Sequence, residues 1–177
     1  MPFKNSSKGK GVVIAEIKIG LDKTLIATTS HLKCQNPPKK YNSEQRASHE
    51  AKETLRILQN FPNVIFGGDM NWDEDKNGAF PLQGVWKDAW IELRGGENGW
   101  TFDTKSNPML QCSYPLQKTL DRFICKLEDC SMKNVEMIGK KPIPGIYYKN
   151  KKKLLPVLPS DHYGLILTVY LDARDVS

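Results

Sequence analysis

Asp69 and Asn71, within Gly-Gly-Asp-Met-Asn at 67–71, have the residue types and spacing of a reaction centre. The run Val64-Ile65-Phe66 before them reads as a buried strand. Asp69 therefore stands at a strand end, partly withdrawn from water, where a carboxylate is costly unless it meets a cation, a proton donor or a water. The two glycines permit close backbone approach to a phosphate, and the Asn71 amide has both donors and an acceptor. The pair suits orienting a water against an anionic substrate, and it suits equally an Asx turn capping the next segment. Ser160-Asp161-His162 forms a second group. A histidine that titrates near neutrality can donate to phosphate or move a proton, and a satisfied structural histidine is the competing reading. Asp121, set in the apolar run 120–125, could accept from a histidine ring and orient it. His31, where a β-branched segment ends, is a third and weaker signal.

The set says more than its members, because strand ends converging on one pocket are how α/β enzymes assemble sites. A GxSxG nucleophile elbow is absent, and so are the GxGxxG and GxxxxGK[ST] phosphate loops. What remains fits a hydrolase that uses a metal and a water without a covalent intermediate.

These residues need strands to carry them. Val12 to Ile19 and Thr24 to Thr29 read as two strands of an antiparallel hairpin about the turn at 20–23. Pro37-Pro38 marks a loop, and the segment 42–60 has helical spacing, with Ala47, Ala51, Leu55 and Leu58 on one face. Asn42 or Ser43 can cap it, Gln45 stands at the capping-box position, and Pro62 follows its end. Residues 88–93 read as a short helix, 100–102 and 120–125 as strands, and 165–171 as a terminal strand. The stretch 139–154 carries Lys140, Lys141, Lys149, Lys151, Lys152 and Lys153 with no acid, and reads as a solvated loop that could instead track a nucleic-acid backbone. Strands alternating with one strong helix predict an α/β sheet protein.

Composition bounds the partners. A chain of 177 residues suits one domain with a real core. Lysine and arginine total 26 against 20 acids, and a net charge of +6 favours an anionic partner, nucleic acid first. The four cysteines, Cys34, Cys112, Cys125 and Cys130, make no CxxC pair, which argues against structural zinc and requires no disulfide framework. The N-terminal residues do not resemble a secretory signal, and no apolar run reaches bilayer-spanning length. The expectation is an intracellular, reducing compartment and no membrane partner.

Four motifs occur in an order that resembles the endonuclease/exonuclease/phosphatase superfamily: Thr-Ser-His-Leu at 29–32, Gly-Gly-Asp-Met-Asn-Trp at 67–72, Leu-Asp-Arg-Phe at 120–123, and Pro-Ser-Asp-His-Tyr-Gly-Leu at 159–165. Asp-Ala-Trp at 88–90, Asn-Gly-Trp-Thr-Phe-Asp-Thr at 98–104 and Leu-Pro-Val-Leu-Pro-Ser-Asp-His at 155–162 make the chain similar, more narrowly, to the tyrosyl-DNA phosphodiesterase 2 family and its plant forms. The resemblance implies a four-layer α/β/β/α sandwich. It implies a magnesium-dependent hydrolase, with manganese as an alternative, acting on DNA that carries a 5′-phosphotyrosyl or protein adduct. It further implies DNA repair in the nucleus, or else the cytoplasm, by a monomer. By the same resemblance, Asp69 orients or deprotonates the attacking water and Asn71 is its phosphate-binding partner. His162 meets the scissile phosphate, Asp121 orients His162, and His31 is a second phosphate contact. Asp161 is an accessory acid at the metal, and Arg46, Trp72, Lys118 and Ser160 contact substrate.

The chain departs from that pattern in one main respect. The family's early Asn and metal-binding Glu have no match, since Glu16, Glu44 and Glu50 lie in other contexts. The expectation is a single domain over 1–177 lacking the N-terminal strands, with an exposed edge or face, weak metal binding and little turnover by this chain alone. Thr119, beside Lys118, replaces the family's Arg, and His49 replaces a Gln. Two other readings stay open: another phosphodiesterase of the superfamily (an apurinic endonuclease, nuclease or phosphatase), or a non-catalytic product that binds nucleic acid.

Overall fold

The structure is a computed structural model, and it describes residues 1–3, 10–33, 43–151 and 153–172, with residues 43–47 described by their backbone alone. Pro37-Pro38, Asn42 and Cys34 lie outside the described residues, as do the Gln45 and Arg46 side chains.

The predicted hairpin forms as β1 (Val13–Lys18) and β2 (Thr24–Thr29), paired antiparallel from Val13↔Thr29 to Lys18↔Thr24. Helix α1 (Ser43–Leu58) follows and returns the chain to β3 (Val64–Asp69), which lies parallel to β2. A short α2 (Glu74–Asn77), then β4 (Lys87–Asp88) and α3 (Ala89–Arg94), lead to the small pair β5 (Phe102–Asp103) and β6 (Gln117–Lys118). β7 (Asp121–Lys126) runs antiparallel to both β3 and β4, which completes a sheet of order β1-β2-β3-β7-β4. β8 (Cys130–Ile138) and β11 (Gly164–Leu171) form a second, two-stranded sheet, and β9 (Tyr147–Asn150) with β10 (Lys153–Pro156) form a hairpin.

Pairing sorts the large sheet into two faces, because directly opposed residues share a side. Ile26, Val64, Phe66 and Ile124 share one face and pack with Ala51, Leu55 and Leu58 of α1. Three of the four residues of the predicted apolar stripe are thus buried, and the Ala47 side chain lies outside the described residues. Ala27, Ile65, Gly67, Asp69, Asp121 and Phe123 lie on the opposite face. A cleft of about 350 Å³ separates that face from Gly164 and Leu165 at the start of β11. Helix outside, sheet, and second sheet within make an α/β sandwich of the type the resemblance implies. The second sheet presents Ile138, Ile166, Tyr170 and Leu171 to solvent.

Two expectations need correction. The lysine-rich stretch is ordered in part as the β9–β10 hairpin, in which Leu154 opposes Lys149 and the Tyr148 hydroxyl donates to the Pro108 carbonyl at 2.6 Å. Lys152 lies outside the described residues. β8 is a strand that the reading of the sequence omitted altogether. Cys125 and Cys130 are buried free thiols and Cys112 is exposed and free; burial pushes the Cys125 thiol up to about 12. Among the described residues, no helix is long and apolar enough to cross a membrane.

Candidate active site

The candidate residues gather at one end of the large sheet, where β2 and β3 finish and β7 begins. β2 leaves the sheet through Ser30, whose hydroxyl donates to the Gly11 carbonyl at 2.9 Å, and β3 leaves through Gly68. Gly68 holds φ at +148°, and a Cβ there would stand 2.1 Å from the Ser30 carbonyl oxygen, so only glycine lets the two exits run this close. The Leu32 N–H then donates to the Asp69 carbonyl at 2.9 Å, which keeps His31 beside Asp69.

Asp69 uses both carboxylate oxygens. Oδ1 accepts the Asn71 backbone N–H at 2.8 Å, and Oδ2 lies 3.5 Å from Nε2 of the exposed His31. The Asx turn is therefore real and coexists with the site. Asn71 takes a left-handed φ of 45°, a conformation that asparagine tolerates better than most residues, and its amide donates to the Leu32 carbonyl at 3.2 Å. Burial raises the Asp69 pKa; the Asn71 N–H opposes this, the neighbouring Asp121 adds to it, and His162 and His31 lower it again. The carboxylate is thus more basic than an ordinary aspartate, as a proton acceptor should be.

Asp121 directly opposes Asp69 across β3 and β7, so both carboxyls point to the same face. Its Oδ2 lies 2.8 Å from His162 Nδ1. Asp121 holds the His162 pKa above the usual histidine value against the opposing effect of burial, and the charges of Asp69 and Asp161 add to the rise. With Nδ1 taken by Asp121, Nε2 is the nitrogen that can meet a ligand. The edge-on Phe102 ring, 5.2 Å between centroids, packs against the imidazole. Asp161 is exposed and accepts from Ser160 Oγ at 3.3 Å, while the His162 backbone N–H donates to the same hydroxyl at 3.1 Å.

Three of the expected substrate contacts are placed otherwise or not described. Trp72 is 3% exposed; its indole N–H donates to the Gly78 carbonyl and its ring packs on Phe80. It belongs to the core, with Met70 and Phe80. Lys118 is held by two carboxylates: Nζ bonds Asp73 Oδ1 at 2.8 Å, and Asp75 as well. Its charge is neutralised where it stands. The Arg46 side chain lies outside the described residues.

The segment 101–107 is what the reading of the sequence missed. Asn107, 1% exposed, donates from one amide nitrogen to the Ser160 and Asp161 carbonyls at 3.2 and 3.1 Å. Asp103 accepts from Ser106 Oγ at 2.7 Å, and that hydroxyl lies 2.8 Å from the Tyr163 hydroxyl. Burial works to raise the Asp103 pKa, but hydrogen bonds from Ser106, Lys105 and Gln117 leave it lowered. The signals in the sequence are the motif at 98–104, which carries Thr101 and Asp103, and the polar run Asp-Thr-Lys-Ser-Asn at 103–107, which has no distinctive spacing.

The fit to a magnesium ion is incomplete. Among the described residues, no group of three or more His, Cys, Asp or Glu side chains could hold a metal. Asp69 already serves Asn71 and His31, and Asp161 turns to Ser160. These residues do not constitute a metal site by themselves.

The architecture is that of the endonuclease/exonuclease/phosphatase fold. A family protein of that name from Bacteroides thetaiotaomicron shares it at a TM-score of 0.52 and 15% identity, over 82% of this chain and 49% of that one. Within the fold, the chain is similar to TDP2. D. rerio TDP2, in a complex with single-strand DNA product, aligns with a TM-score of 0.72 and 21% identity over 94% of this chain and 64% of that one. C. elegans TDP2 gives 0.70 and 20% over 97% of this chain and 49% of that one. The chain therefore spans about half to two thirds of the length of these structures. No family model and no curated protein matches the sequence.

Proposed function

We propose that this chain carries the phosphodiester-hydrolysing site of a DNA-repair enzyme, and that its substrate is DNA bearing a 5′-phosphotyrosyl end. The Asp121–His162 pair, whose Asp121 lies directly across the strand register from the partly buried Asp69, carries the reading. A phosphodiester repels an anionic nucleophile, so the site must neutralise charge while presenting a base to water. His162, biased toward its protonated form, suits the first task, and the raised Asp69 suits the second. Asn71 and His31 stand close enough to Asp69 to steer a phosphate or a water. A tyrosine leaving as phenolate, with a pKa of about 10, needs little help from a general acid. The fold likeness to TDP2, one example of which is bound to single-strand DNA product, and the net charge of +6 both support a DNA substrate. Repair of such a substrate places the work in the nucleus, with magnesium or manganese as the metal at a site these residues supply only in part.

The test offers three substrates side by side: a 5′-phosphotyrosyl oligonucleotide, an abasic duplex and a phosphoinositide, each with magnesium. Release of tyrosine from the first alone, lost in Asp69→Asn and in His162→Gln, is expected. Preference for either of the others replaces this reading with another phosphodiesterase. A second reading, a product that binds nucleic acid without cutting it, is favoured by the incomplete metal site. It wins if DNA binding with a steep salt dependence persists while no substrate is hydrolysed.

A further inference from the structure

We infer that Thr101, assisted by Asn107, is a positioning residue that sets the spacing between Asp121 and His162 from outside the pair. The inference rests on the proposed function only for its catalytic consequence.

Asp121 and His162 come from chain segments 41 residues apart that belong to different sheets. No ladder hydrogen bond joins β7 to β11, so something else must bring the two side chains to 2.8 Å. Thr101 bonds to the backbone of both segments. Its Oγ1 accepts the backbone N–H of Leu120 at 3.1 Å and of Asp121 at 3.0 Å. Its carbonyl accepts the backbone N–H of Tyr163, the residue after His162, at 2.7 Å. The side is closed from β3 as well, since the Leu120 carbonyl accepts the Met70 N–H at 2.8 Å. One fully buried residue thus pins the entry of β7 and the approach to β11, and the Leu120 peptide ties both to the exit of β3.

Residue type matters here. A β-branched threonine has few side-chain rotamers, and its hydroxyl oxygen has two lone pairs, enough for two N–H donors. Valine has the same shape and no acceptor, so it would leave the Leu120 and Asp121 N–H groups without a partner. Serine keeps the acceptor. Asn107 acts at the other end, where its amide holds the two carbonyls that precede His162 and its Oδ1 accepts the Met109 N–H at 3.0 Å. The Phe102 ring between them limits how far the imidazole can swing. Thr101 and Asn107 are both buried, so they act through the backbone they hold.

The test compares wild type with Thr101→Val, Thr101→Ser and Asn107→Ala by two readouts. The first is the long-range ¹H–¹⁵N spectrum of the His162 ring at one fixed pH, which reports whether Nδ1 carries a proton bonded to Asp121. The second is steady-state hydrolysis of the 5′-phosphotyrosyl oligonucleotide. Thr101→Val is expected to lose the hydrogen-bonded Nδ1 signature and to lower kcat by about tenfold or more, with KM changed by no more than about twofold, as for a misplaced catalytic group. Thr101→Ser is expected to restore both, and Asn107→Ala to shift the ring spectrum in the same direction. If Thr101→Val does not fold, Asn107→Ala carries the test. A wild-type ring spectrum in a folded Thr101→Val or Asn107→Ala overturns the inference, and so does a folded Thr101→Ser that lacks the signature. If the wild-type chain cleaves nothing, the proposed function falls while the ring spectrum still decides the positioning claim.

Discussion

Asp88→Asn is the substitution whose effect the structure specifies most fully. Asp88 and Arg122 are both almost completely buried, with Arg122 Nη1 donating to Asp88 Oδ2 at 2.8 Å. The other Asp88 oxygen caps α3, accepting the N–H groups of Trp90 and Ile91 at 2.9 and 3.3 Å. Asparagine keeps that cap, because its carbonyl can take the same two bonds. It removes the charge, and it can turn an amide donor toward a guanidinium that already donates. Breaking a buried pair from one side costs about 3–5 kcal/mol. Arg122 retains the half-exposed Glu74, bonded at 2.7 Å, which places the expected loss at the lower end, about 3 kcal/mol. That is a large share of the roughly 5–15 kcal/mol that stabilises a typical domain. Urea unfolding followed by circular dichroism measures it, with the slope unchanged. Adding Arg122→Met to Asp88→Asn removes the stranded charge, so the double variant should be more stable than Asp88→Asn by about 1 kcal/mol or more. A loss below about 1 kcal/mol in the single variant, or no recovery in the double one, refutes the reasoning. Arg122 follows Asp121 on β7, so the same pair also anchors the strand that presents the site carboxylate.

Other perturbations have equally definite outcomes. Burial raises the Glu50 pKa against the Lys33 N–H and nearby cations; a raised carboxyl contributes stability that is present at low pH and lost as pH rises through its folded value. Glu50→Gln should therefore melt above wild type at pH 7, with the gap closing in acid as the carboxyl protonates. The exposed apolar face of the second sheet predicts self-association. Ile166→Lys should reduce it in sedimentation at a stability change within about 0.5 kcal/mol, and unchanged association would locate the contact elsewhere. Replacing Lys149, Lys151 and Lys153 together by Gln should flatten the salt dependence of single-strand DNA binding by about 2 in the log–log slope if all three meet phosphates. An unchanged slope excludes that role for the hairpin.

What the sequence revealed divides along a physical line. Where a segment buries one face against a single neighbour, its period was visible. The β1–β2 hairpin, the stripe of α1 and the apolar β3 ending at Asp69 were all legible for that reason. Asp121 stands out as a charged residue in an apolar strand and His162 as a histidine just before one, although their 2.8 Å approach is a product of the fold. β8 escaped notice because Lys133 and Glu136 interrupt its apolar residues, and its pairing with β11 shifts register between Thr168 and Val169, so no clean alternation survives. Lys118 looked available because its partners, Asp73 and Asp75, lie more than 40 residues earlier and reach it only across the fold. Trp72 is a substrate contact by the resemblance, and only its burial and its packing on Phe80 place it in the core. Thr101 and Asn107 act through backbone groups of remote segments, and hydrogen bonds of that kind leave no spacing pattern in a sequence.

The central claim, that Asp69 and the Asp121–His162 pair form a site that cuts a phosphotyrosyl–DNA bond, meets its most direct test in one measurement. A 5′-phosphotyrosyl oligonucleotide is incubated with the purified chain and magnesium, and free tyrosine is followed against Asp69→Asn under the same conditions. Slow release by the wild-type chain, abolished in Asp69→Asn, is the expected result. Release that survives Asp69→Asn, or no release while the chain binds the oligonucleotide, would contradict it.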